Sequence, residues 1–165
     1  MLGGVGLSLQ SSDDRYRPKG PLKRVDPARF AVLAAVAARV VPLPGADPVA
    51  IAHTVDESIA RTHDEAAVEF NQLLGLIESG LAGFLLDGRP RPFTRLSPEA
   101  QDGALMAFRD SRLVLRRAGY HALRKLCLAA HYGSDSTWAG VGYPGPPQIS
   151  EPVSPTPPAA NGETK

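Results

Sequence analysis

The sequence has little that would support covalent cross-linking, membrane insertion or charge-driven binding. Its single cysteine, Cys127, excludes an internal disulfide and a thiolate-rich metal site. No stretch approaches the roughly 20 consecutive apolar residues that a membrane-spanning helix needs. The formal net charge is +1, so any electrostatic role must come from local clustering. The sequence has 165 residues, of which 43% are hydrophobic and 21% are charged. This composition is typical of a single globular domain.

Motifs that carry catalysis or bind cofactors are also missing. There is no Gly-x-Ser-x-Gly elbow and no Gly-x-x-x-x-Gly-Lys phosphate loop. The N-terminal glycines follow no predicted strand, which disfavours a dinucleotide site. His53 and Glu57 lie four residues apart on a predicted helix, but one such pair is far short of a metal site. We therefore predict no catalytic residue, no cofactor and no metal bound by this chain.

Three pairs of a capping residue and proline mark helix starts. Asp26-Pro27, Asp47-Pro48 and Ser97-Pro98 each place a side-chain acceptor before a proline at the first helical position. Apolar residues then recur at helical spacing. On the first helix these are Phe30, Leu33, Ala37 and Val40; on the second they are Ile51 or Ala52, Val55 and Ile59.

The same spacing continues through the rest of the chain. A third helix is predicted from about Asp64 to Leu86, a fourth from Pro98, a fifth over Asp110 to Tyr132, and a short sixth that carries Trp138. Phe93, in the connection between the third and fourth helices, is predicted to anchor that connection to the core. No segment alternates apolar and polar residues like a strand.

These patterns predict an all-α protein, a single bundle of about five to six helices over residues 26–143. Residues 1–25, rich in glycine and then in basic residues and proline, are predicted to form a flexible arm. Residues 144–165 contain seven prolines and are predicted to form a disordered, Pro-rich tail.

A helical wheel of the fifth helix separates an apolar arc from a basic one. Arg117, His121, Arg124 and Lys125 form a basic, solvated face. Arg112 falls within the apolar arc, and Arg116 lies at its edge beside Tyr120 and Cys127. The predicted core arc comprises Leu115, Ala118, Gly119, Ala122, Leu123, Leu126, Ala129 and Ala130.

Arginines on an apolar arc have to be explained. Arg112 and Arg116 either pair with carboxylates of this chain, contact a partner protein, or bind nucleic acid. Cys127 also has two interpretations: a small apolar residue on the helix face, or a thiol that pairs with another chain in an oxidising compartment.

From Phe93 onward the sequence resembles a known family. Phe93-Thr-Arg-Leu-Ser-Pro98 is followed by Phe108-Arg-Asp-Ser111, Ala129-Ala-His-Tyr132, Trp138 and Gly142-Tyr-Pro-Gly-Pro146. This order, with Arg116-Arg117 and Ala122-Leu123 between, is similar to the gluconate 2-dehydrogenase subunit 3 family. Residues 30–77, with Val41-Pro42 and Val55-Asp56, are also similar, so about 120 residues carry the resemblance. The closing Gly-Tyr-Pro-Gly-Pro is its most specific part.

The resemblance implies a non-catalytic small subunit that stabilises, or helps to mature, a flavin-dependent sugar or polyol dehydrogenase of the glucose-methanol-choline (GMC) type. FAD is then expected in the partner subunit, often with a cytochrome c subunit, and the membrane is involved only indirectly. Family members often carry a twin-arginine export signal, which implies the periplasm or the periplasmic face of the inner membrane. No Arg-Arg pair precedes Leu2 here; a cytoplasmic location follows if the N-terminus is complete as written.

The residues predicted to contact the partner lie on the fifth helix and in the segment that follows it. Proline fixes φ, glycine permits close approach of the backbone, and Trp and Tyr are favoured interface anchors. Alternatively, Trp138 and Tyr143 cap the core of the bundle itself. A different function, that of a stand-alone helical module that binds protein or nucleic acid through its basic helix, also stays open. The predicted contact residues are Arg112, Arg116, Tyr120, Trp138, Tyr143, Pro144 and Pro146.

Overall fold

The computed structural model describes residues 14–79 and 91–146, and within these ranges it contains six α-helices and no β-strand. The prediction of an all-α bundle is confirmed. None of the helices in the described ranges has the length and apolar character required to cross a bilayer. The helices are α1 (Pro27–Val40), α2 (Pro48–Ile59), α3 (Asp64–Glu78), α4 (Pro98–Arg109), α5 (Val114–Tyr132) and α6 (Asp135–Trp138).

Helix α1 is the centre of the bundle. Every residue from Phe30 to Ala37 is buried, because α2, α3, α4 and α5 all pack around it. A helix that is apolar on all sides is expected to be enclosed in this way. The sequence pattern predicted that only one face of α1 is buried, and this was too narrow. The residues Phe30, Leu33 and Ala37 of that face do belong to the core.

Two of the three predicted caps are present. The Asp47 carboxylate accepts hydrogen bonds from the backbone N–H groups of Val49 and Ala50, at 2.9 and 3.2 Å. The Ser97 hydroxyl accepts one from Ala100 at 3.3 Å. Asp26 makes no side-chain cap; its backbone N–H donates instead to the Asn71 side-chain oxygen, at 3.0 Å.

The N-terminal part of the domain is attached to α2 by a buried carboxylate. Asp56 is almost completely buried, and its two oxygens accept hydrogen bonds from the backbone N–H groups of Lys23, Arg24 and Val25 at 2.7–2.9 Å. Val25 is itself in the core. These contacts hold residues 23–25, the end of the predicted flexible arm, against α2.

The connection between α3 and α4 is described from residue 91. Phe93 lies in a 3-10 turn and is fully buried in the core, so its predicted anchoring role is confirmed. The Gln101 side chain donates to the Phe93 carbonyl at 3.1 Å, and the Glu78 carboxylate accepts from the Thr94 backbone N–H at 3.0 Å. The predicted continuation of the third helix to Leu86 lies outside the described residues, as does most of the predicted tail.

One ion pair with two hydrogen bonds joins α1 to α4. The Arg39 guanidinium donates to both oxygens of Asp102, at 2.7 and 2.5 Å. These hydrogen bonds hold the pKa of the Asp102 carboxyl below its usual value. Because both side chains are partly exposed, the pair contributes at most about 1 kcal/mol.

Candidate partner-binding surface

The buried face of α5 is rotated from the predicted one. Arg116, Gly119, Leu123 and Cys127 face the core. Several residues of the predicted core arc are instead exposed, so that part of the prediction was wrong; these are Leu115, Ala118, Ala122 and Ala129, which we call the α5 stripe. Leu115 is 71% exposed.

The neighbours of α5 explain this rotation, because its buried face packs against α4, α2 and α1. A methyl group added at Gly119 would lie only 2.5 Å from the Leu73 Cδ1 atom of α3. Because Gly119 has no side chain, the α5 backbone can also approach Leu73 at this point. The helical wheel uses only the sequence of α5 and contains no information about neighbouring helices. The prediction therefore placed the buried face of α5 on its most apolar arc.

Arg116 is enclosed by the protein. Its side chain is 5% exposed, and the guanidinium carbon lies 4.2 Å from the centre of the Phe108 ring on α4. This is a cation–π contact in a desolvated position. Arg116 therefore does not lie on the exposed surface where we predicted a partner contact, and Arg116→Ala would act on the packing of α4 against α5.

Arg112 lies in the turn before α5, and Arg117, in the first turn of α5, bonds to that turn. The predicted start at Asp110 was too early, since α5 begins at Val114 and Asp110 ends α4. The Arg112 side chain is exposed, while its carbonyl accepts a hydrogen bond from Arg117 Nη1 at 3.0 Å; the same nitrogen donates to the Ser111 carbonyl at 2.7 Å. Arg117, predicted to be plain surface, thus stabilises the turn.

Tyr120 is half-buried on the opposite side of α5 from the stripe. It lines a groove of about 260 Å³ formed by α1, α4 and α5, together with Met106 and Arg124. Its ring packs edge-on against His121, with 5.4 Å between the ring centres. The groove combines an exposed apolar side chain, Met106, with the guanidinium of Arg124.

Trp138 and Tyr143 contact each other at the C-terminal end of α5. Their rings meet edge-to-face with centres 5.3 Å apart, and the Tyr143 backbone N–H donates to the Trp138 carbonyl at 2.9 Å. The Trp138 indole N–H donates to the Tyr132 carbonyl at 3.2 Å. These bonds fold the 138–146 segment back on itself.

Glycine is required at two positions of the 138–146 segment. Gly142 and Gly145 have φ of 70° and 102°, values that residues with a side chain rarely adopt. A methyl group at Gly145 would also lie 3.1 Å from the Trp138 ring. The Gly-Tyr-Pro-Gly-Pro sequence therefore specifies a folded segment that covers one face of the Trp138 indole.

This aromatic pair lies outside the core. Trp138 is half-buried, Tyr143 is 45% exposed, and neither belongs to the cluster of buried apolar residues. Pro144 and Pro146 are exposed as well. The interpretation in which Trp138 and Tyr143 cap the core of the bundle is therefore wrong, and the segment presents an aromatic surface to solvent.

Cys127 is fully buried, and desolvation raises the pKa of its thiol to about 12. The structure thus agrees with the interpretation of a small apolar residue on the helix face. We expect iodoacetamide at pH 8 to leave the folded chain unmodified for as long as it stays folded, because the reactive thiolate is neither formed nor accessible. Mass spectrometry after labelling with and without guanidinium checks this; equal labelling rates in the two conditions would contradict it.

Within residues 14–79 and 91–146 no three His, Cys, Asp or Glu side chains are grouped closely enough to hold a metal ion. The described residues instead expose apolar side chains on α5 and aromatic side chains in the 138–146 segment. No family model, no curated protein and no solved structure matches this chain.

Proposed function

We propose that this chain is a non-catalytic accessory subunit that binds and stabilises, or helps to mature, a flavin-dependent sugar or polyol dehydrogenase of the GMC type. The proposal places FAD in the partner subunit and none in this chain. A cytochrome c subunit is a further expected member of the complex.

The observation that supports the proposal most is the exposure of the 138–146 segment. The Gly-Tyr-Pro-Gly-Pro sequence is the most specific part of the resemblance to the subunit 3 family. A sequence that served the stability of the bundle alone would place its aromatic side chains in the core, yet Tyr143 is 45% exposed and lies outside it. A partly exposed Trp and Tyr, held in fixed geometry by hydrogen bonds, are suited to anchor a protein–protein contact.

Isolation of the tagged full chain from its native cells tests the proposal. We expect a large flavoprotein to co-purify, FAD to be released from the eluate on denaturation, and sugar- or polyol-dependent reduction of an artificial electron acceptor by the complex. The isolated chain should lack that activity. If the chain elutes with no flavoprotein, the proposed function is wrong.

A matched pair of variants tests the contact. Tyr143→Ala is expected to reduce recovery of the flavoprotein roughly tenfold, as interface anchors do when truncated. Leu43→Ala serves as the control, since Leu43 is similarly exposed at 42% but lies in the loop between α1 and α2. Equal recovery with both variants would remove Tyr143 from the interface. Strongly salt-dependent binding to a random DNA duplex would instead favour a nucleic-acid-binding module.

A further inference from the structure

The chain segment that precedes α1, residues 16–25, contacts α2 at several points, and we call it the strap. Its C-terminal end is held by the Asp56 carboxylate, which accepts hydrogen bonds from the backbone N–H groups of residues 23–25. Further toward the N-terminus, the backbone N–H of Lys19 donates to His53 Nε2 at 3.1 Å. His53 lies three residues before Asp56 on α2, so the two side chains bind the backbone of the same segment.

The hydrogen bond from Lys19 specifies how the His53 ring is protonated. A neutral imidazole has one nitrogen that donates and one that accepts, whereas a doubly protonated imidazolium only donates. Because Nε2 accepts from the Lys19 N–H, it carries no proton while the bond exists, and the single ring proton is on Nδ1. A second proton would place an N–H group opposite the Lys19 N–H and remove the bond. Histidine is the side chain that changes charge between about pH 5 and pH 8.

Packing and local sequence make this hydrogen bond difficult to replace. The half-buried His53 ring lies against the fully buried Phe30 ring of α1, with 4.7 Å between the ring centres. This contact holds the imidazole in place beside the strap. In the strap itself, Pro18 and Pro21 have no N–H, so few other backbone donors lie near Lys19. Protonation of the ring therefore removes a bond for which the segment has little substitute.

The charged groups bonded in this part of the strap and α2 form two ion pairs beside the buried Asp56: Lys19–Asp47 at 2.9 Å and Lys23–Glu57 at 3.3 Å. Both pairs are largely exposed and therefore weak. The hydrogen bond from Lys19 holds the pKa of Asp47 below its usual value, so this pair persists at pH 5. Helices α1 and α5 also pack against α2, but none of their described charged side chains forms a hydrogen bond or an ion pair with the imidazole.

We propose that His53 is a pH-sensitive latch, which holds residues 16–22 of the strap against α2 when it is neutral and releases them when it is protonated. Because Asp56 keeps its own hydrogen bonds, the C-terminal end of the strap stays attached. Release uncovers the apolar surface beneath Tyr16 and Leu22, which are half-buried against the core. The latch acts within this chain and does not depend on the proposed function.

Amide hydrogen exchange of the full chain, measured by NMR at pH 7.5 and pH 5, tests the proposal. The protection factor of the Lys19 amide already accounts for the intrinsic dependence of exchange on pH. We expect it to fall about fivefold or more at pH 5, as the loss of one hydrogen bond implies. The Val25 amide, held by Asp56, should keep its protection. An unchanged protection factor at Lys19, or an equal loss at Val25, would overturn the proposal.

Three variants assign the response to the imidazole. The amide oxygen of His53→Gln accepts a hydrogen bond but does not titrate, so Lys19 should stay protected at both pH values. His53→Ala has no acceptor and should leave Lys19 unprotected at both. His63→Gln is the control, because His63 is exposed at the start of α3 and should respond like the unaltered chain. Circular dichroism establishes that each variant is folded. A pH response that survives in both His53 variants, or that disappears in His63→Gln, would overturn the proposal.

Discussion

Replacing Asp56 by alanine is expected to destabilise the protein by about 3 kcal/mol, one of the two largest effects that we predict. The carboxylate accepts hydrogen bonds from three consecutive backbone N–H groups, and only that of Val25 is deeply buried. Each buried donor left without an acceptor costs about 1–3 kcal/mol, while water can replace the acceptor at the two more accessible groups. Since typical net stability is about 5–15 kcal/mol, such a loss is large.

Urea denaturation followed by circular dichroism measures the effect of Asp56→Ala. Asp64→Ala is the control, because Asp64 also pairs with the 23–25 region, through Arg24 at 2.6 Å, but is highly exposed. An exposed pair contributes about 0–1 kcal/mol. If Asp56→Ala costs no more than Asp64→Ala, the three backbone hydrogen bonds do not hold the N-terminal segment as described.

Phe93→Ala is expected to cost about 3–5 kcal/mol, the usual range when a buried phenylalanine is truncated in a core that cannot collapse. Phe93 is fully buried and belongs to the same cluster as Phe30 and Leu33 of α1. Its loss would leave a cavity beneath the connection that leads from α3 into α4, and would free that connection from the bundle.

Thermal and urea denaturation of Phe93→Ala and Phe93→Leu test this prediction. Leucine fills most of the space, so its cost should stay near 1 kcal/mol, and the two variants should differ by about 2 kcal/mol or more. A loss below about 1 kcal/mol with alanine would mean that Phe93 is not an anchor of the core.

Much of the fold follows from local signals that need no knowledge of neighbouring helices. Asp47 and Ser97 cap their helices because a side-chain acceptor followed by proline satisfies the first turn on its own. Phe93 was identified because a large aromatic residue in a polar connection is rarely left in solvent. The all-round burial of α1 was also within reach, since residues 30–37 contain no polar side chain.

The remaining features depend on contacts between helices. The orientation of α5 follows from its packing against α4, α2 and α1, which no pattern within α5 encodes. Arg116 is buried because Phe108, on another helix, lies beneath its guanidinium. Asp56 had a detectable signal: it lies four residues after Ala52 and three before Ile59, on the same buried face of α2, where an acid requires a buried partner.

The segment after α5 illustrates a different limit of the sequence. The glycines and prolines around Tyr143 indicated a specific backbone shape, and the positive φ of Gly142 and Gly145 agrees with it. The sequence does not indicate whether the side chains of Trp138 and Tyr143 face the core or the solvent. That depends on where α5 ends relative to the bundle, and Tyr132, its last residue, is already largely exposed.

Hydroxyl-radical footprinting of the free chain and of its complex with the co-purified flavoprotein tests the central claim most directly. This method measures the solvent exposure of individual side chains. We predict that Tyr143 is oxidised readily in the free chain and protected in the complex, while Leu43 and Val68 are oxidised equally in both. Unchanged oxidation of Tyr143, with protection elsewhere in the chain, would contradict the proposed contact.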